Sequence, residues 1–211
     1  MRGKAVAAAV DLDSRRYPPI EESACYQPLV SLTLLIWQAA PPPAAANAPT
    51  PGEVAQLAVE RMGLHAIDIG IAPDPGPDSV GLVGMPVWMW VAHRGPHTFG
   101  PVTATASAGG VTVTATARVE QVIWDMGDGT EVVCTTAGTP YRPGFGLMDS
   151  PDCGHRYQRT SAGQPDDRYT VTARSDWVVV WEGAGQRGTI RLADLESSVQ
   201  IAVGEAQVLV S

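Results

Sequence analysis

The chain has 211 residues, 45% of them hydrophobic and 17% charged, with 22 glycines and 18 prolines. Such a composition excludes disorder throughout and demands much turn and irregular backbone. The net charge of −8 leaves no basic stripe to neutralise phosphates, which argues against a nucleic-acid partner.

Residues 1–49 read as an extension ending in a linker. The apolar run LVSLTLLIWQAA, from Leu29 to Ala40, has the length of a signal-peptide core, and Ala44 to Ala48 offers small-residue cleavage sites. Glu21 and Glu22 stand where such a leader is basic, and the run is too short to span a bilayer. Three readings stand: a displaced signal peptide, a hydrophobic strand of the mature protein, or an N-terminus altered by the choice of start codon. Cys25 is the odd cysteine, free or paired with another chain. Pro41 to Pro43 and Ala44 to Ala46 favour extended, semi-rigid backbone.

Residues 50–100 read as a helix and a β segment that pack on the remainder. Thr50 suits a helix cap, Pro51 the first helical position, and Glu53 completes a Thr-x-x-Glu capping box. Val54, Leu57, Ala58 and Met62 then fall on one face, and Gly63 suits the end. Pro73 to Pro77 is a turn cluster. Leu82 to Val91 (LVGMPVWMWV) predicts one strand, apolar on both faces, with Pro86 restricting it to an edge or a bulge.

Residues 101–211 carry the clearest β patterning. Val111, Val113, Ala115, Ala117 and Val119 alternate with Thr112, Thr114, Thr116 and Arg118, as a half-buried antiparallel strand requires. Val122 to Trp124 leads into Gly127-Asp128-Gly129, where the glycines supply positive φ and Asp128 bonds its own turn. Glu131 to Cys134 leaves that turn. Tyr169, Val171, Ala173, Trp177, Val179 and Trp181 share one parity, interrupted by Ser175. Val199, Ile201 and Val203 alternate again, and a parity switch at Gly204 toward Ala206, Val208 and Val210 predicts a bulge there. Short strands with Gly/Pro turns indicate a β-sandwich.

Cys134 and Cys153 flank a loop rich in Gly and Pro. A bridge between them closes about 20 residues and contributes roughly 3 kcal/mol, and it places the chain in an oxidising compartment. The alternative is a pair of reduced, partly buried thiols.

Trp124, Asp125, Gly127, Asp128 and Gly129, with His155, Tyr157 and the Tyr169-x-Val171 strand, resemble the polycystic-kidney-disease (PKD) domain. The resemblance covers roughly 102–181, and Met126 stands where that family usually has phenylalanine. It implies an extracellular β-sandwich and identifies no ligand. Longer segments are similar to actinobacterial secreted proteins often labelled "ATP/GTP-binding". They are Asp68 to Pro73, Gly84 to Trp90, Gly138 to Tyr141 and Ser150 to His155.

The nucleotide label finds no chemistry to rest on. A phosphate-binding loop needs G-x-x-x-x-G-K-[ST], and Lys4, the only lysine, sits in no such context. Gly183 to Gly188 spells G-x-G-x-x-G, but strand-like sequence on both sides predicts a hairpin loop. Cys134, Cys153 and His155 form a zinc alternative to the disulfide, and Asp125 with Asp128 a calcium alternative to a plain turn. His155 is better read as a structural hydrogen-bond partner near the sandwich corner. No catalytic group, cofactor or metal ligand is assigned. Trp88 with Trp90, and Trp177 with Trp181, each share a strand face. If exposed they make an aromatic surface for sugar rings or a partner, and if buried they are core.

The sequence therefore predicts a mainly β protein. It is an antiparallel sandwich (PKD/Ig-like) with one short N-terminal helix and an irregular N-terminal extension. The expected role is a non-catalytic secreted or envelope-associated binding or structural module, with a protein or a cell-wall glycan as ligand. The rival readings are a nucleotide-binding protein and an accessory domain of an extracellular hydrolase.

Overall fold

The structure is a computed structural model, and it describes residues 48–206. The expectations placed on Cys25, on Leu29 to Ala40, on the Pro/Ala tract and on Val208 and Val210 lie outside the described residues.

Among the described residues one α-helix, α1 (Pro51–Arg61), precedes nine strands: β1 (Asp68–Ala72), β2 (Val80–Leu82), β3 (Val87–Ala92), β4 (Val102–Ala108), β5 (Val111–Asp125), β6 (Glu131–Cys134), β7 (Gly154–His155), β8 (Tyr169–Gly183) and β9 (Gln186–Gly204). The capping box forms as its residue types require: Glu53 N–H donates to Thr50 Oγ1, and Thr50 N–H to Glu53 Oε2. Gly63 leaves the helix at φ 58°. The buried face is Val54, Ala55 and Ala58, whereas Leu57, expected inward, is 38% exposed. Alanine at these positions brings the helix close to β4 and β5.

The strands form two sheets. One has the order β1-β3-β7, and the other β2-β9-β8-β5-β4 with β6 paired to β5 beyond β4. All pairings are antiparallel but one: β2 runs parallel to β9, Val80 beside Ala202 and Leu82 beside Gly204. The chain is mainly β and sandwich-like, as its alternation predicts, with one parallel pair at this edge.

The single strand predicted over 82–91 is two. Gly84 turns at φ 79°, and Met85 N–H closes the turn on Leu82 O. β2 therefore ends in the larger sheet and β3 begins in the smaller one. Pro86 sits in the connection, where its missing N–H costs no ladder bond.

β5 is longer than its alternation suggested. Its register against β8 slips between Val119 and Gln121, so Glu120 is a bulge. Inward parity changes there, from Val113, Ala115, Ala117 and Val119 to Val122 and Trp124, all buried. A second slip lies between Ser175 and Trp177 against β9, where Ser175 donates to Leu195 O at 3.2 Å. Ser175, the apparent interruption, is fully buried on the inward face. At Gly204 the strand simply ends.

The core lies between the sheets and under α1. Met89, Val91 and Ile71 of the smaller sheet cluster with Val122, Trp124, Val171, Ala173 and Ile201 of the larger one. Tryptophans account for much of the buried volume, each burying roughly 150–250 Å².

Candidate functional site

The Gly-Asp-Gly turn is built as its sequence predicts. Asp125 Oδ1 accepts from Gly127 N–H, and Asp128 Oδ1 accepts from Thr130 N–H, both at 2.9 Å. Gly127 (φ 74°) lies so close to β8 that a Cβ there would stand 2.6 Å from Thr170 O. The second oxygen of Asp128 meets His155 Nε2 at 3.0 Å. One residue beyond Arg156, Tyr157 donates its hydroxyl to Met126 O at 2.7 Å. Its ring stacks on Tyr169 and meets the His155 imidazole edge-on. Trp124, Asp125, Gly127, Asp128, Gly129, His155 and Tyr157 are thus brought together at one end of the sandwich.

Hydrogen bonds and ring contacts tie this cluster together. Burial pushes the Asp128 carboxyl up, but hydrogen bonds from Thr130 and His155 outweigh it and hold the group below its ordinary value. Tyr157 is raised far above the usual phenol range, by burial first and by the nearby Asp128 charge second. Its hydroxyl therefore stays a donor. Among the described residues His155 bonds Asp128 and no hydroxyl or thiol, so no nucleophile is paired with it. Among the same residues no group of three or more His, Cys, Asp or Glu is placed to hold a metal. Three of the four carboxylate oxygens in the calcium alternative already accept protein hydrogen bonds.

Cys134 and Cys153 are bridged, with Cα atoms 5.7 Å apart, and both are buried. The zinc alternative is thereby excluded, because disulfide sulfurs are not thiolate ligands. The loop they close is cinched at its base by Asp152, whose carboxylate accepts from Thr136 Oγ1, Thr139 N–H, Thr139 Oγ1 and Ser150 Oγ. The loop then lies over β3. Phe145 stacks on Trp88 at 4.9 Å, Tyr141 meets it edge-on at 5.5 Å, and Trp88 Nε1 donates to Met148 O at 2.8 Å.

Of the two readings of Trp88, Trp90, Trp177 and Trp181, core or aromatic surface, the core reading holds for three. Trp88, Trp177 and Trp181 are buried, and only Trp90 is half-exposed. Trp90 lies across Gly70 of β1, and Trp181 across Gly188 of β9, each glycine leaving room for an indole that a Cβ would strike. Gly183 to Gly188 forms the β8–β9 hairpin, its two-residue turn Ala184-Gly185 at φ 48° and 73°. These positive φ values are those of the tight hairpin turns that match strand twist. Strand follows directly, so no helix N-terminus faces this glycine motif.

What the sequence reading missed lies beside the disulfide loop. A cavity of about 250 Å³ opens between the end of β1, the edge strand β2 and the loop, with Pro73, Val80, Leu82, Met85, Tyr141 and Leu147 in its walls. Among the described residues no charged side chain lines it, and the Tyr141 hydroxyl is already given to Gly146 O. Leu147, Met148 and Val80 stand at 67%, 64% and 56% exposure. The readable signal was Gly144-Phe145-Gly146-Leu147-Met148, an apolar cluster in an otherwise polar loop between two cysteines. No family model, curated protein or solved structure matches the chain.

Proposed function

We propose that this protein is a non-catalytic, extracytoplasmic binding module whose contact site is the disulfide-closed loop and the apolar cavity beside it. The observation that carries the reading is the pair Leu147 and Met148, exposed on a loop tied down at both ends. Apolar side chains at a loop tip lose free energy in water unless a partner covers them, and a pre-ordered loop reduces the entropy lost on binding. The extracytoplasmic address rests on the disulfide, which persists where thiols are oxidised. Among the described residues no helix is long and apolar enough to cross a membrane.

Between a protein and a cell-wall glycan, the site favours a protein. Sugar rings dock on exposed aromatic faces flanked by hydrogen-bonding groups. Here Trp88, Trp124, Trp177 and Trp181 are in the core, and the cavity offers apolar walls with the Tyr141 phenol already engaged. An apolar side chain of a partner protein fits those walls better than a polyol.

The test is retention of envelope proteins and of peptidoglycan by the exported protein and by Leu147→Asp. Leu147 is largely solvent-exposed, so the variant should fold as the wild type does, which circular dichroism checks. Protein retention that Leu147→Asp abolishes is the expected result. Peptidoglycan retention indifferent to Leu147→Asp would overturn the assignment.

A further inference from the structure

We draw no further inference here: the strongest candidate, the open edge of β2 beside the apolar cavity, belongs to the site already described, and nothing in the structure shows what covers it.

Discussion

Asp128 Oδ2 and His155 Nε2 lie 3.0 Å apart, with the two side chains only 12% and 10% exposed. The contact joins the β5–β6 turn to β7, two elements 27 residues apart in sequence. It explains why a turn residue and a later histidine belong together: each holds the other's element in place. A desolvated carboxylate with a hydrogen bond on each oxygen is a costly group to leave half-paired.

Acid should therefore weaken the fold through Asp128. Its folded pKa is depressed, so its contribution is fully present above the unfolded value near 3.8 and is lost as pH falls through the lower folded value. Chemical denaturation of wild type and Asp128→Asn from pH 7 down to pH 2 checks this. The stability gap between them should be widest at neutral pH and narrow below about pH 4. A gap that widens in acid would show that the carboxylate is not held in its charged form.

Trp124→Ala should cost about 3–5 kcal/mol, because Trp124 of β5 is fully buried in the core between the sheets and its loss leaves a cavity. Asp128→Ala should cost about 1–3 kcal/mol, through the lost turn bond and the stranded His155. Trp177→Phe should behave differently. Among the described residues the Trp177 Nε1–H, like that of Trp124, is buried without a partner, and phenylalanine removes it while keeping most of the ring, so the relieved penalty of about 1–3 kcal/mol offsets the lost contacts. Urea denaturation of all three variants beside the wild type separates the cases.

The two turn glycines should differ in their tolerance of alanine. Gly129→Ala meets open space and bears only the backbone cost of a positive φ, about 1–2 kcal/mol. Gly127→Ala bears the same cost and adds a collision with Thr170 O. It should lose at least another 1 kcal/mol, in the range of overpacked sites. Equal midpoint shifts in denaturant would mean that the turn can move away from β8.

Removing the disulfide with Cys134→Ala and Cys153→Ala should lower stability by about 3 kcal/mol, as for closure of a loop of this length. The same double variant should lose protein retention, since Leu147 and Met148 are then no longer held against β3. Non-reducing mass spectrometry of the exported wild type should find both thiols oxidised. Free thiols there would remove the argument for an oxidising compartment.

The sequence by itself determined whatever depends on neighbours a few residues apart. The capping box at Thr50 and Glu53, the alternation of Val113, Ala115 and Ala117, and the Gly127 to Gly129 turn are local, because side-chain parity and positive φ are set within a few bonds. The hairpin at Gly183 to Gly188 was legible for the same reason. Tertiary structure alone decided the rest. Nothing local in Leu82 to Val91 says that its two halves serve different sheets, because that depends on which distant edge each half pairs with. The bulge at Glu120 was hidden because the residues around it keep their strand character, and only β8's register reveals the skipped partner. Trp88 looks the same in sequence whether bare or covered. Its burial depends on a loop from 141–148 folding back over it, a contact whose sequence separation no local pattern records.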